Sequence, residues 1–116
     1  MPEAKQYEVN RCVTSTTIAS GTETDEVDLH GTTLVGLIVP SGLVSTAITF
    51  KMSDTKGGTY VQMNDTANAA LSPLTVDTNQ RYISLDPTLF CGVRFIKVVM
   101  GSSETNKELK LISRPV

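Results

Sequence analysis

Nowhere in the chain do apolar residues recur every three or four positions over about ten residues, as an amphipathic helix requires. Short runs instead alternate apolar and polar residues. On a strand successive side chains point to opposite faces, so this rhythm commits the chain to half-buried strands. The plainest case is "ITFKMS", where Ile48, Phe50 and Met52 share one face and Thr49, Lys51 and Ser53 take the other. The "DTKGG" that follows supplies a short Asp and two glycines tolerant of positive φ, so the chain reverses and "TYVQM" returns as the partner strand. Further runs at 11–19, 26–30, 33–39, 74–77, 81–85, 93–100 and 107–113 raise the expectation to about nine strands. Turn clusters separate them: "SGTETD", "HGT", "PSG", "NDTANAALSP", "DTNQ" and "GSSETN". "TLVGLIV" and "VRFIKVVM" are nearly continuous apolar runs and read as interior strands. One helical signal stands out, "LDPTLFCG", in which Asp86 caps, Pro87 suits the first helical position and Gly92 ends the turn.

Strands of this length linked by polar loops pack as facing antiparallel layers. The expected fold is therefore all-β, a two-sheet antiparallel sandwich of the jelly-roll kind with at most one short helical turn. Its core is expected to hold Ile48, Phe50, Met52, Val93 and Phe95. The 116 residues suit one domain. Residues 1–10, "MPEAKQYEVN", lack alternation and a hydrophobic face and read as an extended N-terminal arm, leaving 11–116 as the domain. A strand-like "YEV" in the arm, with Tyr7 and Val9, suits addition to an open sheet edge of another subunit, so the arm is expected to order on assembly.

Composition narrows the partners. No apolar run nears the roughly 18 residues of a membrane span, and the arm has no apolar segment of the signal-peptide kind, so the expectation is synthesis in a cytoplasm and no membrane partner. The net charge is −2 and the ten Lys and Arg are scattered, which leaves no basic footprint for nucleic acid.

Candidate chemistry is sparse. Glu26, Asp28 and His30 share a strand face, but same-face neighbours stand about 6.6 Å apart, too far to converge on one ion without ligands from another strand. They read as a solvated acidic face. Cys12 and Cys91 lack CxxC spacing and sit beside apolar neighbours, so they read as buried free thiols. The chain contains no GxSxG elbow, GxGxxG or phosphate-loop pattern, and its glycines read as turn residues. Three Tyr, three Phe and no Trp are thin for a sugar-binding platform. The expectation is that the chain is not an enzyme and has no catalytic, cofactor or metal residue. Partner contacts are expected at Tyr7 and Val9 in the arm and at Lys56 and Tyr60 in the 54–60 turn.

Three segments, "LVGLIVPSG", "ITFKMSDTKGGTYVQM" and "YISLDPTLFCGVRFIKVVMGSS", carry a likeness spanning 34–103. They resemble small virion proteins of tailed bacteriophages, of the capsid cement or decoration type. The departures are an extra Thr55-Lys56 before Gly57-Gly58 and N-terminal residues 1–33 without a matching motif. The resemblance implies a jelly-roll-like sandwich on the outside of the capsid, fastening neighbouring major capsid subunits. The implied partners are the major capsid protein and a second or third copy of the chain, as a homo-dimer or homo-trimer. The implied location is the capsid surface of the virion, after synthesis in the host cytoplasm. Two other readings stay open. One is a carbohydrate- or receptor-binding module of a virion, since the strand and Gly-Gly-Thr-Tyr turn also look like galactose-binding-like jelly rolls. The other is a tail or head-completion component. An aromatic cluster beside a loop end would favour the carbohydrate module.

Overall fold

The computed structural model describes residues 12–71, 74–76 and 79–115. Within them the chain is all-β with one helical turn: β1 (Cys12–Glu23), β2 (Val27–Asp28), β3 (Thr32–Val39), β4 (Ala47–Ser53), β5 (Val61–Gln62), β6 (Leu74–Thr75), β7 (Arg81–Ser84), a 3-10 turn (Pro87–Phe90) and β8 (Phe95–Pro115). All pairings are antiparallel. Hydrogen bonds join the strands into one eight-stranded, curled sheet. The two sheets expected of a sandwich are thus not separate hydrogen-bonded units. The arm, with Tyr7 and Val9, lies outside the described residues.

β8 organises the sheet. Two strands parted by a turn at "GSSETN" were expected, but β8 runs unbroken for 21 residues. Along one side it pairs with β2 and then β1, along the other with β4 and then β3. The turn-forming residues stay in the strand because β1 supplies their backbone partners from far along the chain, with Ser20 opposite Thr105 and Gly21 opposite Glu104. β1 in turn continues through the expected turn residues Ser20 to Glu23.

The strand nonetheless bends. Gly21 faces Glu104 while Glu23 faces Val99, so β8 carries surplus residues at this point, a bulge. The bulge resets which side chains face inward: Ile96, Val98 and Met100 enter the core before it, Leu109 and Leu111 after it. β3 uses the same device. Its register shifts between Leu34 and Gly36, and its core residues pass from Leu34 to Leu37 and Val39. These strands meet Ile18 of β1, Ile48 and Phe50 of β4, and Phe90 in one contiguous core. The expected phase of β8 was the opposite one. Val93 does reach the core, but from the loop before β8, its amide held by the Phe90 carbonyl at 3.1 Å. Phe95 is buried outside the core cluster, beneath the Arg94 guanidinium, which lies 5.1 Å from its ring centroid. Met52 is half-buried against the core.

Just past the bulge, Glu104 is buried at 1% exposure. Its carboxylate accepts from the amides of Val44 (3.0 Å) and Ser45 (2.6 Å) and from the Ser45 hydroxyl (2.5 Å). The same hydroxyl oxygen accepts from the Ser102 amide at 3.1 Å. One buried charge thereby ties the loop between β3 and β4 to the bend of β8. Burial works against the charged form, but the Ser45 hydroxyl, the two amides and the nearby Lys107 outweigh it and hold the carboxyl below its ordinary range.

The 3-10 turn forms where expected. The Asp86 carboxylate accepts from the Thr88 amide (3.1 Å) and hydroxyl (2.8 Å), and Pro87 opens the turn. Phe90 then enters the core edge-on to Phe50, their ring centroids 5.2 Å apart at 79°. Both cysteines correct the expectation: Cys12 and Cys91 are exposed free thiols. Cys12 opens a strand that pairs with β8 alone, and the Cys91 thiol turns back to the Pro87 carbonyl at 3.3 Å because Phe90 takes the inward position.

Two outcomes follow for stability. Phe90→Ala, which empties a core site, is expected to lower the unfolding free energy in denaturant by about 3–5 kcal/mol. Glu104→Gln keeps one acceptor oxygen but removes the charge and turns the other oxygen into an NH2 that faces amide or hydroxyl donors, and is expected to cost about 1.5–3 kcal/mol at neutral pH. Because the native carboxyl titrates below its unfolded value, its contribution is present above the ordinary carboxylate pKa and disappears as pH falls through the lowered native one. Urea midpoints from pH 7 to pH 3 should therefore fall less steeply in Glu104→Gln than in the parent.

Candidate functional site

The expected contact residues Lys56 and Tyr60 stand on the β4–β5 reversal, which forms as the sequence indicates: Lys51 pairs with Gln62 and Met52 with Val61. Gly57 takes a positive φ of 66°. The reversal folds back on the segment around β2 and locks there. The Gly57 amide (2.9 Å) and the Tyr60 hydroxyl (2.5 Å) both donate to the same Glu26 carboxylate oxygen. The sequence reading placed Glu26, Asp28 and His30 on one face and left them solvated; the structure keeps the face and fills in its partners. Asp28 accepts from Arg94 at 3.2 and 3.4 Å and from the His30 amide at 2.8 Å, and the His30 ring nitrogen lies 3.4 Å from its carboxylate. His30 and Gly31 both have positive φ, turning the chain from β2 into β3.

Behind this face lies an arrangement that sequence spacing did not reveal. The register sets Lys51 of β4 directly opposite Lys97 of β8, and like charges facing across a ladder repel. Glu23, at the end of β1, sits between them: its carboxylate lies 2.5 Å from the Lys51 ammonium and 3.8 Å from that of Lys97. Lys97 also lies 4.6 Å from the Tyr60 ring centroid, over its face. Glu23, Lys51, Lys97, Tyr60 and Glu26 therefore form one continuous set. Only tertiary pairing brings them together, and the one sequence signal was a lysine inside each apolar run.

The electrostatics follow from the contacts. The Lys51 ammonium chiefly, with Lys97, holds the Glu23 carboxyl below its usual range. The Tyr60 hydroxyl and then the Gly57 amide do the same for Glu26, and Arg94 followed by the His30 amide for Asp28. Burial first, and the Glu26 charge second, raise the Tyr60 phenol above its ordinary value, so it stays protonated and donating. What the arrangement offers is a face of fixed shape with neutralised charge, edged by the exposed Lys56. Among the described residues no three His, Cys, Asp or Glu side chains gather as a metal site needs, and no helix is long and apolar enough to cross a membrane.

A second feature escaped the sequence reading. Beside β7 an open groove of about 630 Å³ is lined by Thr33, Val35, Tyr82, Ser84, Leu85, Pro87, Arg114 and Pro115. The Tyr82 ring lies over Gly36, so closely that a Cβ there would collide with it. A glycine inside an apolar strand run was the available signal, since it marks close approach of another group.

No protein-family model matches the chain, and no curated protein matches it. Among solved structures the chain is similar to YomS, a protein derived from the SPBc2 prophage, with a TM-score of 0.55 and 20% sequence identity over 89% of this chain and 93% of that one. At that identity the likeness is one of fold, and it extends over nearly the full length of both chains.

Proposed function

We propose that the chain is a structural protein of a tailed-phage virion that binds the outside of the capsid as a cement or decoration protein and fastens neighbouring major capsid subunits. The observation that carries this reading is the shared fold, nearly end to end, with a prophage-derived protein. The resemblance of segments 34–103 to phage decoration proteins points the same way. On this reading the curled sheet serves as a jelly-roll-like block, its halves facing one another across the core, and the role is non-enzymatic. The face around Tyr60 supports that role: its charges are already paired within the chain, so docking it against a shell leaves few unpaired ions to desolvate. Lys56 at its edge supplies a charge for the polar rim of a lattice contact. The partners are the major capsid protein and further copies of the chain, and the location is the virion surface.

The test uses capsid shells that lack the protein. Purified full chain is expected to co-sediment with them to saturation and to raise their resistance to heat. Lys56→Glu with Tyr60→Ala is expected to lower occupancy at a fixed concentration by about tenfold, the scale of one lost charged contact and one aromatic anchor. A parent chain that fails to co-sediment at any concentration would refute the capsid reading. Full occupancy by the double variant would remove this face from the contact.

A further inference from the structure

We infer that the free edge of β1 over residues 12–16 joins the same edge of a second copy, antiparallel about a two-fold axis through Thr14. The inference needs no shell and stands independently of the capsid reading. β1 pairs with β8 alone. The strands that end the sheet order, β5 and β7, are only 2 and 4 residues long, and short edges recruit little. In an antiparallel ladder the N–H and C=O of one residue point to the same side, and the side alternates along the strand. The Thr17 carbonyl accepts from the Asp25 amide at 3.3 Å, so Thr17 points away from β8. Val13 and Ser15 share its parity and point away too. The opposite flank agrees. The Val35 carbonyl accepts from the Leu85 amide just past β7, which turns Ile38 toward β8 and its partner Lys110 toward β3. Leu111 is then turned toward β1, where it faces Thr14. Among the described residues, the backbone groups of Val13 and Ser15 have no hydrogen-bond partner. Past Thr16 the edge closes, because Asp25 lies against Thr17.

Charge and symmetry choose the partner. Exposed edges are ordinarily guarded by a lysine, a proline or a bulge. Residues 12–16 carry no charge and no proline, and the bulge of this pairing lies farther on, past Gly21. A two-fold through Thr14 sets Val13 opposite the partner's Ser15 and Ser15 opposite the partner's Val13, so that every one of these outward amides and carbonyls is bonded. Thr14 faces its own equivalent, and the Val13 side chain, 47% exposed in the single chain, gains cover. The flanking charges also fit. Lys110 lies beside Ser15 and Ile112 beside Val13, so each lysine shares a row with the partner's Ile112 and no like charges face one another. The product is an isologous dimer in which one sheet runs through both copies.

The test uses the full chain alone in solution. Light scattering is expected to give twice the 12.5 kDa of one chain as concentration rises from micromolar to millimolar, and the Val13 and Ser15 amides are expected to exchange more slowly at the higher concentrations. Ser15→Pro removes an outward amide but no bond to β8. It is expected to keep the parent's unfolding midpoint at micromolar concentration and to lose the dimer. Thr14→Cys, in a chain that also carries Cys12→Ser and Cys91→Ser, is expected to form an intermolecular disulfide under mild oxidation, because residues facing across a non-hydrogen-bonded pair have Cα atoms about 4.5 Å apart. Thr17→Cys in the same background is expected to stay reduced. A single mass at every concentration would overturn the proposal. So would a dimer that persists in folded Ser15→Pro, or one that Thr14→Cys fails to link. If Ser15→Pro does not fold, the disulfide and the exchange of the Val13 and Ser15 amides decide.

Discussion

The bend of β8 is the constraint on which the rest of the fold depends. A straight strand of that length would present one alternating row of side chains to one side, and its two halves would face different surroundings. The surplus residues between Val99 and Glu104 let Ile96, Val98 and Met100 and then Leu109 and Leu111 enter the same core. The curl follows, because β4 and β3 pair with successive halves of β8 along one side and β2 and β1 along the other. Glu104 fixes the bend by binding the loop that joins β3 to β4, the two strands the bend redirects. A buried carboxylate is costly unless it is hydrogen-bonded, and here two amides and a hydroxyl donate to it, with at least one bond on each oxygen. Thr24 completes the corner: its amide donates to the Val98 carbonyl and its hydroxyl oxygen accepts from the Val98 amide, so it serves as a strand residue where β1 ends.

The same geometry shapes the outer surface. With β4 docked on the first half of β8, Lys51 and Lys97 face one another, and the end of β1 brings Glu23 between them. The face that carries Tyr60, Glu26 and Asp28 is thus built on a lysine pair that is tolerable only when β1, β4 and β8 are all in place. Its exposed pairs contribute little to stability individually and are screened by salt. Their effect is on shape, since Tyr60 and Gly57 cannot leave Glu26 without unpairing a charge. At the β3–β7 end of the strand order, Gly36 plays the opposite part: the missing side chain admits Tyr82 and creates a held aromatic surface.

Strand alternation, turn chemistry and the Asp-Pro cap were legible in the sequence because each is a local effect: Ile48 and Phe50 face inward, the Gly57 reversal closes, and Asp86 caps the turn that carries Phe90. Three readings went astray where a distant partner outweighed local preference. "GSSETN" has turn composition, yet β1 offers its backbone a ladder. Alternation from Val93 and Phe95 set the phase of β8; Phe95 is buried as expected, but beneath the Arg94 guanidinium, while Ile96, Val98 and Met100 of the opposite phase enter the core cluster. Cys91 sits among apolar neighbours in sequence, yet the turn can bury only one of two adjacent side chains and it buries Phe90.

By itself, then, the sequence determined an all-β chain, its reversals and the residues able to fill a core, because hydrophobic period and the φ preferences of glycine, proline and aspartate act within a few residues. The tertiary structure alone decided that one long strand joins every pairing into a single curled sheet, that Glu23 lies between two lysines, that Glu104 is buried, and that Tyr82 lies on Gly36. Each of these joins residues distant in the chain, and register between distant strands depends on the loop geometry and bulges of the whole sheet, which no local pattern encodes.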